Sequence, residues 1–223
     1  MTLPVVLYVG LWANPPFTSL SERFAHMRSD CAQAGYDLRV WHWDHPGDFL
    51  AEDALPVGVI LSGSRFDLPC ATDPSRAHRP LYDYRPLLAR LIEWRIPVLG
   101  ICYGHQLMAL HEGCTLGLLA DKRRCNDHPI TVVEDDPILG EAGNVLQVPE
   151  NHRMLVETVD KARWEIVAVS DDGIEALRHR LLPWLGVQFH PEYHPESQHD
   201  HARQVFANWL TSLASQPAEV VVR

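Results

Sequence analysis

Short apolar runs alternate with longer amphipathic stretches through the first half of the chain. Pro4–Gly10 is apolar and rich in valine, which predicts a buried strand. Over Phe17–Gly35 apolar residues recur at helical spacing (Phe24, Met27, Cys31), and Gly35 is a natural helix stop. Leu38–Trp43 and Val57–Leu61 predict the second and third strands, the third running into the turn Ser62-Gly63-Ser64. Leu81–Trp94 predicts a helix with Leu87, Leu88, Leu91 and Ile92 on one face. Pro97–Ile101 predicts a fourth strand, and the helix Gly104–His111 follows it at once. Such strand–helix–strand alternation implies parallel βαβ units covered on both faces.

The second half has a different rhythm. Ile130–Val133, Val145–Val148, Trp164–Ala168, Ile174–Arg178 and Leu185–Phe189 are short predicted strands joined by short polar links, which suggests hairpins or a mixed sheet edge. A helix over Gln198–Leu213 closes a single domain, expected over residues 1–213. Residues 214–223 are expected to be a tail, in which Val220-Val221-Val222 could add an edge strand.

Charge and cysteine usage narrow the function classes. The net charge of −10 disfavours nonspecific binding to nucleic acid or to an anionic membrane. Lys122-Arg123-Arg124 is the one basic run, and it reads as a solvated turn. The five cysteines are odd in number and show no Cys-x-x-Cys spacing, which argues against a zinc knuckle or a disulfide framework. The apolar N-terminus is too short to span a bilayer and has no lysine or arginine before Arg23. A reduced, cytoplasmic protein without membrane or nucleic-acid partners is the expectation.

Candidate chemistry concentrates in Leu99-Gly100-Ile101-Cys102-Tyr103-Gly104-His105-Gln106. Here a cysteine stands between a strand and a helix, with glycine two residues before and two after. This is the cysteine form of the Gly-x-Ser-x-Gly elbow, whose sharp turn strains the nucleophile's backbone and leaves no room for flanking side chains. At a helix N-terminus the dipole and free N–H groups favour a thiolate. The Tyr103 N–H is placed to donate to an oxyanion.

A nucleophilic cysteine needs a base, and His190 is the best of 13 histidines. It ends an apolar strand in Gly186-Val187-Gln188-Phe189-His190-Pro191-Glu192, and Glu192 can point to the same side to orient the imidazole. His194, His199, Asp200 and His201 invite a metal reading, but their spacing fits no compact ligand set, so no metal is expected. Trp41-His42-Trp43-Asp44-His45 reads as strand plus loop.

Cys102, His190 and Glu192 in this order, with this elbow, resemble the class I (triad) glutamine amidotransferases. The likeness extends from the first strand to the closing helix and rests on Ser62–Ser64, Gly100–Gln106 and Gly186–Glu192. It implies an α/β fold: a three-layer, flavodoxin-like sandwich around a central, mainly parallel mixed sheet. It also implies that Cys102 attacks the γ-carboxamide of glutamine, that a γ-glutamyl thioester forms, and that His190 protonates the departing ammonia. Gly63 and Ser64 would match the family's oxyanion loop. Gln106 would lie beside the substrate, and Glu150-Asn151-His152-Arg153 would bring His152 near it. No cofactor is implied.

Three features depart from the family pattern, one being Arg124-Cys125-Asn126-Asp127, which stands where the family has an Arg-Glu-x-Gly-like stretch. The oxyanion loop reads Gly-Ser-Arg where the family often has Gly-Gly-Pro, and Gly113–Gly117 lacks a glycine pair. The chain is similar to a free-standing branch that includes γ-glutamyl peptidases and relatives of the GMP-synthetase amidotransferase domain. Two enzyme functions are therefore expected as alternatives. One is a subunit that hydrolyses glutamine and passes ammonia to a separate synthase chain. The other is a self-sufficient γ-glutamyl hydrolase or peptidase. A non-enzymatic protein that keeps the fold is a third reading, against which the intact triad argues.

Overall fold

A computed structural model describes residues 2–11, 17–42, 55–69, 83–119, 126–193 and 200–215. The first half runs β1 (Val5–Gly10), α1 (Phe17–Gln33), β2 (Asp37–His42), β3 (Gly58–Leu61), α2 (Arg85–Trp94), β4 (Val98–Ile101) and α3 (Tyr103–His111). Then come β5 (Thr115–Leu118), β6 (Asp127–Val132), β7 (Val145–Pro149), β8 (Met154–Thr158), β9 (Trp164–Val169), β10 (Ile174–His179), β11 (Trp184–Val187) and α4 (His201–Leu213).

All eleven described strands share one sheet, in the order β2-β1-β3-β4-β11-β10-β9-β6-β7, with β5 paired to β8 and β8 to β10. Every pairing from β2 through β11 along this path is parallel, and the pairings beyond β11 are antiparallel. Strand periodicity sends alternate side chains to two separate cores. Val6 and Tyr8 of β1, Ile60 of β3 and Leu99 of β4 pack with Met27 and Cys31 of α1 and with Phe206 and Trp209 of α4. Leu7, Val9, Val59, Leu61 and Val98 pack on the other face with Leu87, Leu88 and Leu91 of α2 and Met108 of α3. The result is the expected three-layer α/β sandwich with a mixed sheet. No described helix is long and apolar enough to cross a membrane.

Several boundaries differ from expectation. Helix α2 starts at Arg85 rather than Leu81 within the described residues: Asp83 Oδ1 accepts the Arg85 N–H at 3.1 Å, and Pro86 sits in the first turn, where its missing N–H costs nothing. Strand β11 ends at Val187, so Gln188 and Phe189 leave the sheet ahead of His190. Strands β5 and β8 have no counterpart in the periodicity, since each is short and their pairing spans a long stretch of chain. Trp43, Asp44, His45, Lys122–Arg124, His194, His199 and Val220–Val222 lie outside the described residues.

Candidate active site

The C-terminal ends of three adjacent parallel strands, β3, β4 and β11, carry the Ser62–Ser64 loop, Cys102 and the His190 loop. This is the edge where open α/β sheets bind ligands. Cys102 sits between β4 and α3 with φ +47° and ψ −99°, a strained backbone for a side chain other than glycine. Its N–H donates to the Val187 carbonyl at 2.8 Å, which ties the elbow to β11. The flanking glycines are steric necessities. A Cβ on Gly104 would stand 2.4 Å from the Leu61 carbonyl oxygen, and one on Gly100 would stand 2.9 Å from the Gly104 carbonyl carbon. Tyr103 opens α3, so its N–H has no carbonyl four residues back within the helix.

His190 and Glu192 are both buried, and His190 Nδ1 lies 2.8 Å from Glu192 Oε1. The Pro191–Tyr193 turn holds that carboxylate, while the His190 N–H donates to the Pro149 carbonyl at 2.8 Å. Burial alone would push the imidazole down. The Glu192 carboxylate and the nearby Cys102 sulfur outweigh it and hold His190 well above its ordinary value. An imidazolium between sulfur and carboxylate is the arrangement that assists a thiolate nucleophile.

Gly63 presses on this pair: a Cβ there would stand 2.9 Å from His190 Cε1. Ser62 pins the loop in place. Its hydroxyl accepts the Leu11 N–H at 2.8 Å and donates to the Gly63 carbonyl at 2.8 Å. The Ser64 hydroxyl folds back to accept the Phe66 N–H at 3.3 Å.

Cys102 lies in an open cleft of about 430 Å³ whose walls include Ser64, Phe66, Asp67, Gln106, His152 and Arg153. Gln106 Nε2 donates to the Met154 carbonyl and to Gln188 Oε1, each at 2.9 Å. His152 lines the cleft, but both ring nitrogens are engaged inside the protein. Nδ1 meets the Met154 carbonyl and Nε2 meets Glu150 Oε2, each at 2.9 Å. His152 therefore shapes the wall rather than offering a free ring nitrogen. Arg153 clasps Asp67 through two parallel hydrogen bonds, Nε to Oδ1 at 2.8 Å and Nη2 to Oδ2 at 2.5 Å, joining the two walls.

Sequence reasoning named Glu150 and Gln188 only within their motif segments, with no role, and missed Asp67 and Glu175 as parts of this neighbourhood. Only Glu150 carried a signal: the Glu-x-His spacing with His152 mirrors the His-x-Glu of His190 and Glu192. His105, in the first turn of α3, is pushed down to about 3 by burial and by His152, so it is neutral. Of the eye-catching histidines, His201 accepts the Gln147 N–H at 2.9 Å, a structural role. Cys31 and Cys114 are buried free thiols; burial and Asp30 push Cys31 up to about 12, which leaves it inert. Two groups of His and carboxylate side chains meet among the described residues, His128 with Asp171 and Asp172, and Glu150 with His152 and Glu175. In each, the imidazole already faces a carboxylate, at 2.7 Å and 2.9 Å.

Comparison with known proteins agrees with this geometry. Carbamoyl phosphate synthase pyrimidine-specific small chain of Bacillus subtilis is 30% identical over 182 residues, 78% of this chain and 44% of that protein. The chain thus spans less than half the length of the carbamoyl phosphate synthase small chains it matches. The glutamine-hydrolyzing GMP synthase subunit of Pyrococcus abyssi is 33% identical over 155 residues, 69% of this chain and 74% of that one. A Thermoplasma acidophilum protein solved as a candidate GMP synthase subunit superposes with a TM-score of 0.71 at 21% identity, covering 96% of each chain. Residues 24–209 match the model of the family "Glutamine amidotransferase class-I", and the chain belongs to that family.

Proposed function

We propose that this protein hydrolyses the side-chain amide of glutamine and delivers the ammonia to a separate synthase chain. The observation that carries the proposal is the strained elbow, which presents Cys102 to a buried His190–Glu192 pair at the mouth of a cleft. The Cys102 sulfur attacks the amide carbon, and the resulting oxyanion is held by the N–H groups of Tyr103 and of the Gly63-Ser64 loop. As the C–N bond breaks, His190 gives its proton to the leaving nitrogen, so ammonia and a γ-glutamyl thioester form. Water then adds to the thioester carbon while His190 takes its proton. Cleavage of the C–S bond frees glutamate and restores the sulfur. Glu192 orients the imidazole and stabilises its charge throughout.

Relatives named as the small chain of one synthase and as one subunit of another support the view that the ammonia acceptor is a different polypeptide. The test is glutamate release by the purified protein from L-glutamine and from γ-glutamyl peptides, with Cys102→Ala as control. Release from glutamine that Cys102→Ala abolishes, or slow release with Cys102 alkylated by a glutamine-mimicking diazoketone, supports the proposal. Rapid release from peptides but not from glutamine would replace it with a self-sufficient γ-glutamyl hydrolase. Undiminished turnover by Cys102→Ala would overturn the mechanism.

A further inference from the structure

Behind the cleft wall lie three titratable groups that the thioester chemistry does not use. Glu150 just past β7, His152 in the following loop and Glu175 of β10 are all buried, and their facing polar atoms lie within 4.8 Å of one another. Hydrogen-bond chemistry dictates the protons. The Met154 carbonyl can only accept, so His152 Nδ1 carries a hydrogen. The contact of 2.9 Å between His152 Nε2 and Glu150 Oε2 needs one more proton, resident on either group. With that proton, the Glu150–His152 couple is neutral overall wherever the proton resides. Glu175 accepts the Ser170 hydroxyl on Oε1 at 2.6 Å, and its other oxygen is buried beside Glu150. Two carboxylates so close and so buried cannot both be charged cheaply, so the pair retains a proton.

The trio bears directly on the cleft. The Met154 carbonyl that holds His152 also accepts from Gln106, which follows the nucleophile by four residues. Asn151, His152, Arg153 and Met154 together form the wall facing Cys102. We propose that Glu150 and Glu175 act as a proton-holding pair that positions His152, and through it this wall, so that glutamine binding weakens when the pair loses its proton at alkaline pH. The proposal deepens the glutamine reading and rests on it.

The groups facing Glu175 are Glu150 just past β7, His152 from the β7–β8 loop and Ser170 from the β9–β10 turn, while Asp172 of that turn acts on His152 and donates its N–H to the Ser170 hydroxyl. His190 and His105 act in turn on His152 or are acted on by it. His128 of β6 engages the outer side of the turn through Asp171 at 2.7 Å. Burial, with Glu150 beside it, pushes Glu175 up to about 8, against the pull of Ser170 and His152. Above that pH the trio carries one uncompensated negative charge, which competes for the single proton joining Glu150 to His152 and loosens the wall.

The experiment uses the full chain with Cys102→Ala, so that binding is read without turnover. L-glutamine affinity is measured by calorimetry from pH 6.5 to 9.5, alone and with Glu150→Gln or Glu175→Gln added. The ring nitrogens of ¹⁵N-labelled histidine are followed in parallel, with His152→Asn assigning the His152 signals. The expected result is an affinity that falls by roughly tenfold between pH 7 and pH 9.5, a fall that Glu175→Gln flattens. The His152 signals should shift over the same range, as charge appears on neighbouring Glu175, and should move in Glu150→Gln. Both glutamine substitutions conserve shape, so folding is retained even where larger truncations fail. Glutamine binding with the same pH profile in Glu175→Gln, or His152 signals indifferent to Glu150→Gln, would overturn this inference and leave the glutaminase reading intact. A folded Cys102→Ala protein that binds no glutamine at any pH would overturn both.

Discussion

Gly63→Ala tests whether the Ser62–Ser64 loop and the His190 imidazole are built against one another. The added Cβ would stand 2.9 Å from His190 Cε1, where ordinary carbon contacts begin near 3.5 Å. One side must therefore give by about 0.5 Å. The imidazole cannot swing freely, because Nδ1 is held by Glu192 and the residue's N–H by the Pro149 carbonyl, both at 2.8 Å. The loop is also held, through the Ser62 hydroxyl at Leu11 and the Ser62 N–H on the Val9 carbonyl at 3.1 Å. Cys102 Cβ, at 3.7 Å, is in ordinary contact and need not move. The loss should thus fall on proton transfer and oxyanion binding, with the sulfur still reachable. Misplacement on this scale costs on the order of 10²-fold in rate, and overpacking at one site costs about 1–2 kcal/mol of stability. Steady-state glutamate release from L-glutamine and a thermal melt read the two effects separately. A Gly63→Ala protein that melts normally and turns over within threefold of the parent would refute the coupling.

Three further outcomes follow from the same geometry. His190→Ala should lower glutamate release by about 10³–10⁴-fold and Glu192→Gln by less, since the carboxylate orients and does not react; the reverse order would refute the role assignment. Glu175 has a folded value of about 8 against an ordinary 4.5, so the stability tied to its proton is complete below pH 4.5 and is lost as the pH rises to 8. Glu175→Gln should therefore gain stability over the parent by up to a few kcal/mol as the pH rises from 5 to 8 and level off beyond; melts at pH 5, 7 and 9 showing a constant difference would contradict this. Gly104→Ala, with its Cβ 2.4 Å from the Leu61 oxygen, should cost about 2–3 kcal/mol and lower Tm by roughly 5–10 °C. An unchanged melt would mean that the elbow can open.

The parallel half of the sheet was legible because its strands are buried on both faces and separated by helices, so apolar runs and glycine stops mark each element. The elbow was legible because both glycines flank Cys102 within two residues, although only Gly100 is required by a local neighbour, Gly104, while Gly104 is required by Leu61 on β3. Strands β5 and β8 were not, since the partners of Thr115 and Leu118 are Thr158 and Met154, and no local period encodes so distant a pairing. Asp67 was silent for the same reason. Its meaning comes from Arg153, 86 residues away, and either alone reads as a solvated charge. The role of His152 was half visible. Its position near the cleft came from the family resemblance of the Glu150–Arg153 segment, but the engagement of both ring nitrogens depends on Met154 and Glu150 in three dimensions.

Two histidine–glutamate pairs with the same two-residue spacing stand on either side of one hydrogen bond, that from the His190 N–H to the Pro149 carbonyl. Both imidazoles are buried and both face a carboxylate at 2.8–2.9 Å, yet their basicities move in opposite directions. His190 rises because the Cys102 sulfur adds to Glu192 and together they overcome burial. His152 falls because burial outweighs the upward pull of Glu175, the Met154 carbonyl and Asp172, and His190 adds a smaller push down. Environments that push like groups apart are how one site separates its acid–base tasks. The two are linked, since charge on His190 adds a small push in the same direction as burial at His152. Any change that discharges His190, whether removal of the Cys102 sulfur or loss of Glu192, should therefore raise the basicity of His152.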